Sequence, residues 1–191
     1  MYRIIIFIGV FLSLVNPSFS QEIEVKTIEV NGKKISITTP KRDTIYPYNI
    51  PLISLQGDTI LSKKVLLKND RPTVLVFWLT TCVPCRYELD AITKKYAKWK
   101  QEADFNFYAI SLDFDDYQPD FYKRAKDFPF EAFIDYERQF MNIMPGGLNG
   151  TPQTFIIDTE GKVAYHTRRY RMGDEDRLFE EIMILNLERK K

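Results

Sequence analysis

Beyond position 22 the chain alternates apolar and polar residues. In "IEVKTIEVNGKKISIT" (23–38) the alternation runs on both sides of Asn31-Gly32, which predicts a β-hairpin turning at that dipeptide. "PKRDTIYPYN" (40–49) has two prolines and no period, so a linker is expected there. A second extended pair follows in "IPLISLQGDTIL", turning at Gly57-Asp58. The rhythm then changes. "TVLVFWL" (73–79) is a continuous apolar run, the pattern of a strand buried on both faces. From Pro84 to about Gln101 the pattern is helical, with Leu89, Ile92, Tyr96 and Trp99 on one face. "FNFYAISLDF" (105–114) predicts another buried strand. Residues 117–127 read as helix, "FEAFID" as a short extended piece, and "ERQFMNIM" as a turn or two of helix. "TFIID" and "KVAYHTR" flank "TEGK", a hairpin with glycine at the turn. A last helix is expected from about Asp174 to Glu188, with Leu178, Phe179, Ile182, Met183 and Leu185 inward. This order predicts an α/β domain: a mixed central sheet, helices on both faces and a β-rich N-terminal extension.

The first twenty residues have a different composition. Arg3 precedes an apolar run from Ile4 to Val15, and Ser18 and Ser20 stand at the spacing a signal peptidase reads. The run is short against the roughly 20 residues that span a bilayer. A leader cleaved after about Ser20 is expected, and with it an exported, most simply periplasmic, protein. The expected organisation is a leader at 1–20, a hairpin extension and linker at 21–49, and one α/β domain at 50–191. No cysteine sits at the cleavage position, so a lipoprotein is not expected. The chain carries 27 Lys+Arg against 26 Asp+Glu, and loss of Arg3 with the leader would balance them. That removes the basic excess a nucleic-acid binder usually shows. Export allows disulfides to form and persist.

Both cysteines lie in "LTTCVPCRYEL" (79–89), three positions apart. A disulfide across so short a loop restrains the unfolded chain little, on the order of 2 kcal/mol. A structural zinc site needs four ligands, and the chain has one C-x-x-C and a single histidine, His166. The redox reading suits the surroundings better. The pair falls where a buried strand gives way to a helix, with Cys82 at the start and Cys85 about one turn in. Unpaired N–H groups and the helix dipole favour a thiolate there. Pro84 suits a first helical turn, where its missing N–H costs nothing.

"VLVFWLTTCVPCRYEL" resembles the active-site segment of thioredoxin-fold proteins, and most of all the exported TlpA-like thiol–disulfide oxidoreductases. The likeness rests on the apolar strand, Phe77-Trp78, the C-x-P-C core and the glutamate three places on. "GTPQTFIIDTEGKVAYH" resembles the family's proline loop and final hairpin, and the likeness spans about residues 50–188. It implies Cys82 as nucleophile, Cys85 as resolving cysteine, a disulfide between them, and Pro152 in the cis form. Glu88 is the position where the family often has a glutamate that moves the proton of the sheltered cysteine. The plainer reading of Glu88 is a helix-favouring residue in a first turn. In cytoplasmic thioredoxins a buried aspartate on the preceding strand plays a comparable part; the matching residue here is Val76. The resemblance assigns the substrate-facing surface to Trp78, Thr81, Pro84, Thr151 and Pro152. Trp78 is expected as core or pocket wall, with a partner contact as the alternative. Many relatives have Trp where this chain has Thr81.

The resemblance therefore implies an enzyme that exchanges electrons between a Cys82–Cys85 dithiol and protein thiols, in the reducing direction. It implies no metal or organic cofactor, and a membrane thiol carrier as electron donor. One alternative is a thiol peroxidase on the same fold. Such proteins usually carry a threonine three residues before the attacking cysteine, where this chain has Leu79. Another is a non-catalytic binding or assembly module. His166 is expected to be structural or exposed. "LDFDDYQPD" lacks the glycine and glutamate of an EF-hand loop and is expected to be a solvated loop with a helix cap.

Overall fold

The computed structural model describes the backbone of residues 23–30, 33–40, 49–66 and 70–189, and the side chains of 49–64 and 70–189. The expected leader and most of the expected linker lie outside the described residues. The first hairpin forms as its alternation predicts. Strand β1 (Ile23–Val30) pairs antiparallel with β2 (Lys33–Pro40), and Val30 faces Lys33 across the two-residue connection.

The main sheet has seven strands in the order β4-β3-β7-β6-β5-β8-β9. Its first members are β3 (Pro51–Ser54) and β4 (Thr59–Leu61), joined by a turn with Gly57 at φ 84°, a left-handed conformation that suits glycine. The Ser54 hydroxyl accepts the N–H groups of Gln56 and Asp58 and closes that turn. Strand β3 continues the sheet by pairing antiparallel with β7. A short helix, α1 (Ser62–Leu66), follows β4 and was not legible in the apolar pattern; its Ser62 hydroxyl accepts the Ile50 N–H.

Strand β5 (Thr73–Trp78) is central and buried along its whole length, as a continuous apolar run requires. It pairs parallel with β6 (Asn106–Ser111) and antiparallel with β8 (Gln153–Ile157). Beyond β6 lies β7 (Glu131–Ile134), and beyond β8 lies β9 (Val163–Arg168). The helices are α2 (Val83–Glu102), α3 (Gln118–Ala125), preceded by a 3-10 turn at Asp115–Tyr117, α4 (Phe140–Ile143) and α5 (Asp174–Arg189).

Alternation along β5 divides the core. Val74, Val76 and Trp78 face Cys85, Leu89, Ile92 and Trp99 of α2, Phe121 and Ala125 of α3, and Leu178 and Ile182 of α5. Leu75 and Phe77 face the other way, onto Phe140, Met144, Leu148 and Phe155. Helices thus cover both faces. The predicted inner face of α2 is the observed one, except that Tyr96 is half-buried, edge-on to Phe105, Phe107 and Phe130. On α5, Phe179 stacks on Trp99 with ring centroids 4.9 Å apart. The same helix buries Asn186, whose side-chain carbonyl accepts the Asp104 N–H, a polar contact that hydrophobic periodicity cannot show.

Leu89 has no exposed surface and sits between α2 and the sheet. Leu89→Ala is expected to cost roughly 2–5 kcal/mol through lost burial and the cavity left behind. The shift in urea midpoint, with an unchanged slope, measures it.

Candidate functional site

The site forms where β5 stops. Leu112 N–H still bonds the Trp78 carbonyl, and after that the chain leaves the sheet through residues 79–82. Cys82 has extended backbone angles, φ −81° and ψ 106°, and serves as the N-cap of α2. Its Sγ accepts the Cys85 N–H at 3.2 Å, and its carbonyl accepts the Arg86 N–H. Pro84 lies in the first turn, where no N–H is missed. The two cysteines are joined by a disulfide, with Cα atoms 5.3 Å apart. Cys82 is half-buried, whereas Cys85 has no exposed surface. The helix therefore presents one sulfur toward solvent and shelters the other behind it.

A buried acid holds this junction. The Asp113 carboxylate accepts the Thr80 N–H on both oxygens, at 3.1 and 3.0 Å, and the Thr80 hydroxyl at 2.9 Å. It also accepts the Ser111 hydroxyl at 2.6 Å. Asp113 is 1% exposed. The expectation that "LDFDDYQPD" is simply a solvated loop is thus corrected. Its first aspartate follows β6 into the interior and ties the end of that strand to the loop two residues before Cys82. The signal was present as Ser-x-Asp at the end of a buried strand, but composition alone reads such a stretch as surface.

Glu88 lies three residues beyond Cys85 and is buried. The Thr154 hydroxyl donates to its Oε1 at 2.7 Å, while Oε2 has no hydrogen-bond partner among the described residues. Burial pushes the carboxyl up to about 7; the Thr154 hydrogen bond opposes this, and the Asp174 and Glu175 charges add to it. Thr154 stands on β8, two residues after a cis Thr151–Pro152 bond. The β5–β8 ladder runs out at Phe77↔Gln153, so Pro152 flanks the strand end from which the Cys82 loop departs. The preceding Gly150 holds φ 91°, which favours glycine.

The other sequence-selected residues divide by exposure. Thr81 and Pro84 are exposed beside Cys82, Thr151 is half-buried and Pro152 is buried. Trp78 has no exposed surface; it packs against Phe121 and Phe128 at ring distances of 6.0 and 5.8 Å. It belongs to the core beneath the site, the first of the two expectations for it, and not to the substrate-facing surface that the resemblance implied. Val83 and Tyr87 are exposed on the first turns of α2. His166 stacks on Phe155 at 4.0 Å, its Nε2 bonds the Gln153 side-chain oxygen, and burial pushes it down to about 4. It is a structural residue.

The AhpC/TSA family profile matches residues 48–166, and the chain belongs to that family. A thiol-disulfide oxidoreductase ResA from Bacillus thuringiensis subsp. konkukian is 29% identical over 117 residues, covering 60% of this chain and 63% of that relative. The chain thus matches less than two thirds of the curated relative's length. Among solved structures, a thioredoxin-like protein from Porphyromonas gingivalis superposes with a TM-score of 0.62 at 27% identity. That match covers 73% of this chain and 91% of the other. A putative thiol:disulfide interchange protein DsbE from Chlorobium tepidum gives 0.60 at 25% identity, covering 73% and 94%. The fold is thioredoxin-like, as the sequence resemblance implies.

Two outcomes test this geometry. Asp113→Asn places an NH2 donor against the Thr80 or Ser111 donors and is expected to cost roughly 1–3 kcal/mol in urea unfolding. Glu88 makes stability depend on pH. Its folded-state value of about 7 lies above the ordinary 4.5, so the native state holds this proton longer than the unfolded chain does. Its contribution is complete below about pH 4.5 and is lost as pH rises through 7, a fall of roughly 3 kcal/mol. His166, pushed down to about 4, acts in the opposite sense, favouring the native state as pH rises from about 4 to 6.5. Subtracting the Glu88→Gln profile from that of the oxidised wild type isolates the fall; a flat difference contradicts the burial account.

Proposed function

We propose that this member of the AhpC/TSA family is an exported thiol–disulfide oxidoreductase that works as a reductase on protein disulfides. One observation carries the reading: the Cys82–Cys85 disulfide caps α2 with Cys82 accessible and Cys85 buried beneath it. In the reduced protein the Cys82 thiolate attacks one sulfur of a substrate disulfide. A mixed disulfide forms and the other substrate sulfur leaves as a thiolate. The Cys85 thiolate then attacks Cys82 Sγ. The second substrate thiolate leaves, and the Cys82–Cys85 disulfide forms. Two electrons have passed from the dithiol to the substrate.

Cys85 must lose a proton to attack, and no solvent reaches it. Glu88 stands one turn further along α2, and its carboxyl, pushed up to about 7, can be either protonated or ionised near neutral pH. We assign it the acceptance of the Cys85 proton and its return on reduction. The α2 N-terminus supplies the partial positive charge that favours the Cys82 thiolate.

The proline loop supports the substrate assignment. The Thr151 backbone groups have no hydrogen-bond partner among the described residues, whereas the Pro152 carbonyl accepts the Arg169 N–H. An extended substrate segment can add to Thr151 by strand-type hydrogen bonds. Thr81 and Pro84 border the disulfide and complete the contact surface. Leu79 packs into the apolar core and has no polar side-chain group to hold a peroxide, so disulfide exchange is the reading retained over a peroxidase. The exchange needs no cofactor beyond the dithiol. Recharging the pair outside the cytoplasm requires electrons from across the membrane, for which a membrane thiol carrier is the chemical class. Residues 1–20 are assigned as the export leader, 21–49 as an extension and 50–191 as the catalytic domain.

Cys85→Ala removes the resolving sulfur. Expressed in its own compartment, this variant is expected to accumulate substrates disulfide-linked to Cys82, released by dithiothreitol and absent from Cys82→Ser. No adduct, together with no disulfide reduction by the wild type, contradicts the proposal.

A further inference from the structure

We infer that the loop joining β9 to α5 is a docking surface for an acidic segment of the substrate protein, next to the cysteine being attacked. The inference rests on the exchange reading above and deepens it by naming the chemistry of the partner.

The loop carries Arg168, Arg169 and Arg171, all exposed, followed by Met172, which is 95% exposed. Its backbone is fastened to the proline loop. The Arg169 N–H donates to the Pro152 carbonyl at 2.9 Å, and the Arg168 guanidinium reaches the Gly146 carbonyl at 3.3 Å. The loop backbone therefore adjoins the proline loop at which an extended substrate would pair with Thr151, and the Arg168 guanidinium lies at the Gly146 carbonyl beside it. Arg169 holds φ 67°, a conformation that non-glycine residues adopt rarely and at a cost. No ion pair accounts for these arginines: among the described residues no carboxylate lies within ion-pair distance of Arg168, Arg169 or Arg171.

Acidic residues are close by, but they are otherwise engaged. Lys95 holds Glu175 at 2.9 Å and Asp176 at 2.6 Å. The Asp174 carboxylate accepts the Arg171 backbone N–H at 2.7 Å, a local turn contact that leaves the guanidinium free. The chain as a whole has a formal charge of only +1, so this edge is a local concentration and not a sample of a basic surface. Guanidinium groups pair with carboxylates in a planar two-point geometry, and an exposed methionine adapts to varied apolar neighbours. Together they fit a segment with acidic residues flanking its cysteine. Charges at the rim of an interface act mainly on encounter rate and partner choice, so the effect belongs in substrate selection.

The test uses two peptides with one internal disulfide, identical except for flanking Glu or Gln residues. The wild type is expected to reduce the Glu peptide with about tenfold higher kcat/KM at low salt, falling to about twofold at 0.5 M salt. Arg169→Glu with Arg171→Glu is expected to abolish or invert the ratio. The ratio is taken within each protein, so a general loss of activity cancels. Calorimetry on the Cys82→Ser chain with both peptides decides the docking claim even if the wild type reduces neither, which would sink the exchange reading alone. Tighter binding of the Glu peptide, lost in the arginine variant, supports the inference. Equal binding, or an unchanged preference in the variant, overturns it, as does charge-dependent binding to anionic vesicles with no peptide preference.

Discussion

The Asp113 carboxylate fastens the end of β6 to the chain as it leaves β5, and the geometry of the reactive pair follows from that tie. Thr80 is held through both its N–H and its hydroxyl. With Thr80 fixed, the short path to Cys82 leaves that residue where it can cap α2. Capping sets the helix axis, and the axis puts Cys85 on the buried face with Leu89 and Ile92. The same face carries Glu88 toward Thr154 on β8. A satisfied buried carboxylate thus sits beneath a site whose own carboxyl is only partly satisfied.

A similar contrast in hydrogen bonding separates Glu88 from Glu175, two acids with little exposed surface. Asp113 receives every donor its surroundings offer. Glu175 is pushed up by burial, but the Lys95 ammonium, the Tyr170 hydroxyl and backbone N–H groups outweigh this and hold it down at about 2. Glu88 has one hydroxyl partner and an orphaned oxygen, and it is displaced toward neutrality. Burial raises Glu88, which has one hydroxyl donor to oppose it, whereas the ammonium, hydroxyl and backbone donors around Glu175 overcome its burial.

The apolar rhythm made most of this fold legible. A continuous apolar run of this length suits a strand covered on both faces, and β5 is that strand. A period of three to four can only be a helix with one buried side, and α2 and α5 are those helices. The cysteines were placed by the junction of the two patterns. What stayed hidden was the buried polar residues Asp113 and Asn186, and the short helix α1 with its buried Ser62. Each is fixed by a partner distant in sequence, as Thr80 with Asp113 or Asp104 with Asn186, and no local pattern records such a pairing. The resemblance put Trp78 on the substrate-facing surface, while the β5 alternation sends it inward against Phe121 and Phe128, the core placement that was also expected of it.

Val76 shows how the site dispenses with a carboxylate on the strand. It occupies the position where the resemblance to cytoplasmic thioredoxins would put a buried aspartate, and it faces Thr154 across the β5–β8 ladder. The strand pair thus offers a hydroxyl in place of an acid, and the acid comes from α2. This relocation changes the mechanics. A carboxylate on β5 and a cysteine on α2 would shift relative to each other whenever helix and sheet slide. Glu88 and Cys85 are three residues apart on one helix, so their spacing is fixed by helical geometry. The hydroxyl of Thr154 then only has to steady an acid already in place, two residues beyond the proline loop that the substrate would touch. The proposed proton acceptor, the sheltered sulfur and the proposed docking edge are thereby joined through one helix and one adjoining strand.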